Sequence, residues 1–285
     1  MTKERLLIAI AGFTLFLGIL WFDYHFATHL GSLFVLTSVG SLALYEFYGL
    51  LQRMGLDPDP VMGVGAAIAL FLTRGLLHQA GVQPLTAQAG VGCLFCGVIA
   101  FPFIQAMFRH GKKNPGGRED FDRAGATLLG LLYVWFLLSF LLELRLLGDE
   151  VTHRGLKLTV VLILAVKIGD STAYVVGRTM GNRPLIWVSP KKTWEGVGGS
   201  LAGSMVVAAV LGGLLGFCWW QMLIVGFLVS VAGQLGDLVE SLIKRRAGVK
   251  DSGTLLKEIG GFLDLVDSVL FAAPVAYLSV LALGV

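Results

Sequence analysis

The amino-acid sequence predicts an all-α protein, a polytopic transmembrane bundle of about nine helices. Of its 285 residues, 55% are hydrophobic and only 14% are charged, whereas soluble domains carry about a quarter charged residues. Apolar runs of about 17 to 25 residues recur along the chain, and runs of this length cross the ~30 Å hydrocarbon core of a bilayer. Both observations place the chain in a membrane.

Nine apolar segments follow one another along the chain. The first comes after Lys3 and Arg5, as a signal peptide would, but it continues into Trp21 without a small-residue cleavage site. We therefore predict a retained helix. The nine segments are 6–22, 30–51, 61–80, 88–108, 124–146, 156–178, 197–216, 218–236 and 265–284.

Composition divides the chain into two halves. Residues 1–147 are mostly apolar, and we predict that they form N-terminal transmembrane helices. From about residue 160, polar and charged side chains enter the helices or stand at their ends. We therefore expect residues 148–285 to be the catalytic transmembrane region, because charged groups at membrane depth usually have a function.

Lys and Arg are distributed unevenly between alternate loops. A cytoplasmic N-terminus places 17 of the 22 Lys and Arg residues on the inner side, and such an excess marks cytoplasmic loops. The five outside this set are Arg74, Arg145, Arg154, Lys157 and Lys167. We predict a multi-pass protein of the inner membrane. The net charge of +3 comes from these loops, and it indicates anionic lipid or nucleotide phosphates as partners rather than nucleic acid.

The three cysteines indicate no redox, zinc or disulfide chemistry. Cys93 and Cys96 form a CxxC pattern in the middle of an apolar segment, without a second pair of metal ligands. Cys218 stands beside Trp219 and Trp220, an aromatic pair typical of a membrane interface. We assign none of them to a functional site.

One face of the sixth segment is polar. In the sequence KIGDSTAYVVGR, helical spacing aligns Lys167, Asp170, Ser171, Tyr174 and Arg178. A charged side chain at this depth costs at least ~2.5–3.5 kcal/mol, so the stripe should face the protein interior. Two interpretations are open at this point: Lys167 and Asp170 neutralise each other, or Asp170 belongs to a binding site.

The connection after this segment is a candidate phosphate site. The sequence GNRPLIWVSPKKTWEGVGG is predicted to be a loop with two lysines and a glycine-rich helix start. Ser189 and Lys192 are the candidate ligands, because helix N-termini and lysines both favour anions. The spacing is not that of a Walker A loop. Cytoplasmic lysines beside a membrane also serve as plain orientation signals.

The stretch from 236 to 268 concentrates carboxylates and bases between two apolar helices. Helical spacing puts Asp237, Glu240, Ser241 and Lys244 on one face, and Asp264 and Asp267 on another. Aspartates from two helices can hold Mg²⁺, which prefers oxygen ligands and keeps positions for water and phosphate. The predicted metal ligands are Asp237, Asp264 and Asp267. A salt-bridged re-entrant loop without a ligand is the alternative.

Bases and glycines accompany these carboxylates. Lys244, Arg245 and Lys250 would neutralise phosphate charge. Gly260 and Gly261 would let the backbone approach a ligand closely.

The residues from 241 to 267 resemble the signature of phosphatidate cytidylyltransferase, also called CDP-diacylglycerol synthase. The matching positions are Ser241, Lys244, Arg245, Lys250, Asp251, Gly253, Leu256, Gly260, Gly261, Phe262, Asp264, Val266 and Asp267. The SPKKTWEGVGG block and the residues around Asp170 are also similar to that family. Three positions depart from it: Lys257 replaces a small residue or Pro, Ile259 replaces His, and Leu265 replaces Arg.

The resemblance implies an enzyme of phospholipid biosynthesis that converts CTP and phosphatidate to CDP-diacylglycerol and pyrophosphate with Mg²⁺. Two metals, or an additional monovalent cation, are options, as is a homodimer. The implied catalytic residues are Ser241, Lys244, Arg245, Lys250 and Asp251. The implied nucleotide-binding residues are Asp170, Ser189, Lys192, Gly260 and Gly261. The site should face the cytoplasm, with membrane lipids around it.

Two other functions are open from the sequence alone. A CTP-dependent relative could act on another lipid, as a polyprenol or isoprenoid alcohol kinase or an ether-lipid cytidylyltransferase would, and the three departures keep this alternative. A secondary transporter would also bury carboxylates near broken helices, often in repeats. The pattern of 237–267 has no second copy in the first half, which argues against transport.

Overall fold

The computed structural model describes residues 14, 18–109, 118–148, 152–253 and 260–285. Its helices are α1 (Leu30–Arg53), α2 (Pro60–Gln79), α3 (Pro84–Arg109), α4 (Arg118–Gly130), α5 (Leu137–Arg145), α6 (Arg154–Met180), α7 (Trp194–Leu214), α8 (Trp219–Arg246) and α9 (Phe262–Leu283). A π-helical turn, Leu131–Phe136, joins α4 to α5 without a break. Within the described ranges, eight spans are long and apolar enough to cross a membrane, with α4 and α5 counted as one.

The predicted all-α, multi-pass architecture is confirmed, and eight predicted segments coincide with observed spans. The remaining predicted segment, 6–22, lies mostly outside the described residues. The largest difference is at α8, which we predicted to end at 236 and which continues to Arg246. Its polar last turns stay helical because Asp237 and Lys244 find partners of opposite charge inside the bundle.

The connection between α6 and α7 is a short β-hairpin instead of the predicted loop. Strands β1 (Pro184–Ile186) and β2 (Ser189–Thr193) pair antiparallel, with Pro184 opposite Thr193 and Ile186 opposite Ser189. Helix α7 begins at Trp194, three residues before the prediction. The reason is Thr193, whose hydroxyl caps the helix by accepting a hydrogen bond from the Gly196 amide at 3.1 Å.

Several charged residues in the first half of the chain are paired within the bundle. Arg74 on α2 donates two hydrogen bonds to Glu143 on α5, at 2.5 and 2.8 Å. Arg145 lies 3.6 Å from Asp23, and both side chains are buried. These charges neutralise each other within the described part of the chain. We therefore assign them a structural role and not a catalytic one.

Helices α6, α7, α8 and α9 pack in chain order, and α9 also contacts α1 and α5. Glycines allow close approach between the first three. A Cβ at Gly199 would lie 2.7 Å from the Val176 side chain, and one at Gly226 would lie 2.8 Å from both Ala208 and the Ser204 carbonyl oxygen. This packing brings the polar ends of α6, α8 and α9 together.

We predict that Gly226→Ala lowers the unfolding free energy by about 1–3 kcal/mol, because the new methyl group meets backbone atoms that have no room to move. Gly198→Ala is the matched control: it lies on the same pair of packed helices with open space around it, and it should be neutral or slightly stabilising. Thermal unfolding in detergent measures both. Equal midpoints for the two variants would contradict the packing described.

Candidate active site

Three carboxylates converge where α8 meets α9. One oxygen atom each from Asp237, Glu240 and Asp267 lies within 4.8 Å of the others. Asp237 and Glu240 share a face of α8, and Asp267 comes from the second turn of α9. Gly236 makes this meeting possible, since a Cβ there would lie 2.5 Å from the Asp267 carbonyl oxygen. We call Asp237, Glu240 and Asp267 the carboxylate triad.

The triad is largely withdrawn from solvent. Glu240 is fully buried, Asp267 is 8% exposed, and the Asp237 side chain is 30% exposed. The site is therefore open at Asp237 and closed at Glu240.

Two lysines from different elements contact these carboxylates. Lys192 of strand β2 forms an ion pair with Asp237. The Lys244 ammonium lies 2.5 Å from Glu240 and 2.5 Å from Asp264. These contacts neutralise part of the charge that burial would otherwise make very unfavourable.

Helix α6 turns only part of the predicted polar face inward: Lys167 and Asp170 are half-buried, whereas the rest of the stripe, Ser171, Tyr174 and Arg178, is exposed. The prediction that the whole stripe faces the interior is therefore wrong, because only its first turn packs beside α8 and α9.

Asp170 is close enough to Asp237, Lys167 and Lys192 to interact with each electrostatically. The Lys167 ammonium donates a hydrogen bond to the Leu265 carbonyl oxygen at 2.8 Å. Lys167 and Asp170 therefore do more than neutralise each other, since they also border the triad.

Asp264 lies outside the triad, although the sequence grouped it with the metal ligands. Its Oδ2 accepts hydrogen bonds from the Gly261 amide at 2.7 Å, the Ser252 amide at 3.0 Å and the Ser252 hydroxyl at 2.8 Å. Its Oδ1 accepts a hydrogen bond from Lys244 at 2.5 Å. This geometry favours a role in holding the ends of the α8–α9 connection, and Glu240 takes the third position beside Asp237 and Asp267.

Glu46 is a site residue that our sequence analysis missed. It is buried on α1, and its Oε2 accepts hydrogen bonds from the Leu263 amide at 2.9 Å and the Ser252 hydroxyl at 3.3 Å. The signal was available, because a carboxylate inside a predicted membrane segment requires an explanation. Its partners could not be predicted, because they lie more than 200 residues away along the chain.

The glycines at the start of α9 approach protein carboxylates. Gly260 has φ +107° and Gly261 caps α9. Side chains at Gly253 and Gly261 would collide with Glu46. These glycines let the described ends of the connection pack against Glu46 and Asp264. Contact with a nucleotide stays a prediction.

The remaining predicted residues lie at the rim. Ser241 donates a hydrogen bond to Asp237 at 3.4 Å, and Arg245 donates one to the Val249 carbonyl oxygen at 3.3 Å. Lys250 and Asp251 are exposed.

Two further sequence candidates complete this comparison. Ser189 begins β2, on the same strand as Lys192. Of the three departures, only Leu265 is described, and its 42% exposed side chain points away from the core; Lys257 and Ile259 lie outside the described residues.

The chain is similar to known proteins over nearly its whole length. A family model described as "Cytidylyltransferase family" matches residues 3–283. A phosphatidate cytidylyltransferase of Synechocystis sp. is 28% identical over 312 residues, covering 99% of this chain and 98% of that protein. One from Staphylococcus epidermidis is 33% identical over 276 residues, covering 95% of this chain and 96% of that protein. One from Bacillus subtilis is 38% identical over 161 residues, covering 55% and 58%.

We predict that Asp264→Ala destabilises the protein by about 2–3 kcal/mol, because it leaves the Ser252 and Gly261 donors without their charged acceptor. Asp251→Ala, an exposed neighbour in the same connection, is the control and should unfold like the parent. The measurement is the unfolding midpoint in detergent, without cation or substrate. A stable Asp264→Ala protein would remove the proposed role in holding the connection.

Proposed function

The chain belongs to the cytidylyltransferase family, and we propose on this premise that it transfers the cytidylyl group of CTP to phosphatidate, giving CDP-diacylglycerol and pyrophosphate. The observation that carries the proposal is the carboxylate triad with its lysines, set at the ends of membrane helices where a nucleotide and a lipid can meet. A phosphate oxygen of phosphatidate forms the new bond to the α-phosphorus of CTP. The bond from that phosphorus to the bridging oxygen breaks, and pyrophosphate leaves.

The triad suits a divalent cation such as Mg²⁺. All its donors are carboxylate oxygens, which hard cations prefer, and Glu240 Oε1 has no hydrogen-bond partner among the described residues. Asp237, Glu240 and Asp267 would hold the cation. When bound, it would neutralise triphosphate charge and polarise the phosphoryl group under attack.

Protein groups supply positioning and positive charge. Lys192 and Lys244 lie at the triad, and Arg245 and Lys250 stand at the rim, so each can contact a phosphate oxygen. Because a phosphate dianion is already nucleophilic, the reaction needs in-line positioning and stabilisation of charge more than a general base. We assign positioning and charge stabilisation to these four basic side chains. We assign Ser241 a hydrogen bond to a phosphate oxygen.

We propose that the site lies at the cytoplasmic surface of the inner membrane and faces the cytoplasm. The distribution of Lys and Arg supports this orientation. The triad lies near the ends of α8 and α9, so the lipid headgroup can enter from the inner leaflet while CTP enters from water.

Purified protein in mixed micelles should form CDP-diacylglycerol and pyrophosphate from CTP, Mg²⁺ and phosphatidate. Asp267→Asn should lower kcat by at least about 100-fold, because even the outer partners of metal ligands contribute 10–100-fold. Asp57→Asn, an exposed carboxylate paired with Arg123 away from the site, is the control. Turnover of CTP only with a polyprenol or an ether-lipid acceptor would reassign the acceptor. The proposal would be overturned if the intact protein consumed no CTP with phosphatidate, a polyprenol or an ether lipid.

Lys192→Met should raise the KM for CTP about tenfold or more, the effect of losing one charge-assisted phosphate contact. Mn²⁺ binding without nucleotide should stay equal or become tighter, since the variant frees Asp237 from its ion pair. Lys191→Met is the matched control, because neighbouring residues of a strand point to opposite faces. Equal KM values for the two variants would exclude Lys192 from the phosphate site.

A further inference from the structure

Tyr133 places a buried, neutral polar group beside the helices that carry the carboxylate triad. Its hydroxyl oxygen is buried and has no hydrogen-bond partner among the described residues. Its ring contacts Phe271, which follows Asp267 by one turn on α9. The Phe271 side chain also lies 3.2 Å from the position of a Cβ at Gly236, the residue before Asp237. The triad carboxylates are charged groups close enough to interact with the hydroxyl electrostatically. A buried hydroxyl without a partner is unfavourable by about 1–3 kcal/mol, so its burial beside this cluster calls for a reason.

The backbone around Tyr133 is unusual as well. It lies in the π-helical turn Leu131–Phe136, between α4 and α5. Such turns insert an extra residue into a helix and often occur at functional sites. The turn changes which residues of this span face inward, and Leu131 and Val134 on either side of Tyr133 are buried.

Two aromatic contacts fix the ring. Tyr133 stacks on Phe47, with ring centroids 4.8 Å apart and planes inclined by 20°. It also meets Phe271 of α9 edge-on, with centroids 6.2 Å apart. These contacts hold the ring from two sides, so the direction of the hydroxyl is set by packing and not by a hydrogen bond.

We propose that Tyr133 is a positioning residue for the metal-binding carboxylates, and that its hydroxyl donates a hydrogen bond to Glu240 when the triad closes around a divalent cation. Lys244 contacts Oε2 of Glu240, which leaves Oε1 without a partner. Phenol is a donor that needs no charge. It can orient Glu240 without competing electrostatically with the cation, as an additional lysine would.

The inference rests on the proposed cation site and makes a distinctive prediction for Tyr133→Phe. Loss of an outer partner of a metal ligand typically weakens metal affinity 10–100-fold, so we expect Mn²⁺ binding, followed by electron paramagnetic resonance without CTP, to weaken about tenfold. Without cation, the variant should be as stable as the parent or more stable, because it removes an unpartnered buried hydroxyl and keeps the ring. The increase in unfolding free energy that Mn²⁺ produces should be correspondingly smaller in the variant.

The matched control is Tyr45→Phe, an exposed tyrosine on α1, which should leave Mn²⁺ affinity unchanged. At saturating Mg²⁺, the KM for CTP of Tyr133→Phe should equal that of the parent. If the parent binds no Mn²⁺, the proposed cation site itself fails. If the parent binds and Tyr133→Phe binds equally well, the positioning role is overturned while the proposed reaction stands. A raised KM for CTP with unchanged Mn²⁺ affinity would also overturn it, since it would place Tyr133 on the substrate.

Discussion

An ionised carboxylate that leaves water is strongly destabilised unless positive charge or several donors reach it. Asp237, Glu240 and Asp267 meet this requirement together. Lys192 arrives from the hairpin and Lys244 from the same helix as two of the acids, so separate elements must be held in register. The position of the hairpin and the extension of α8 beyond its apolar part follow from this need for charge compensation. Packing of apolar surface alone would specify neither.

The same requirement ties the two halves of the chain together. Asp264 and Glu46 are acceptors for the amides and hydroxyl at the ends of the α8–α9 connection, beside the N-terminus of α9, where negative charge is favourable. Glu46 comes from the first half. The boundary that composition indicates near residue 147 is therefore a boundary in hydropathy, and contacts of α9 with α1 and α5 cross it.

The fold was predictable where the physics is local. Length and hydropathy located eight described spans, because a bilayer imposes a minimum apolar length. The site was predictable only in part: spacing put Asp264 and Asp267 on one face, but which of them joins Asp237 and Glu240 depends on the rotation of α9. Glu46 depends on a contact across more than 200 residues, and Tyr133 on a π-helical turn that a period of 3.6 residues does not reveal. The hairpin was not predicted because strands of three and five residues are too short to show a repeating pattern.

Charge compensation also explains why a cation and a nucleotide would favour each other here. A divalent cation entering alone meets Lys192 and Lys244 already paired with the acids, so positive charges become crowded. A triphosphate entering alone adds anionic charge beside three carboxylates. If Asp237, Glu240 and Asp267 hold a cation as proposed, the binding of both ligands would free the two lysines for phosphate, so each ligand would remove the repulsion that the other creates. With the proposed cation site, these interleaved lysines and carboxylates should bind the metal–nucleotide complex better than either component. Because Glu240 is buried and Asp237 is partly exposed, this exchange would be confined to the Asp237 side.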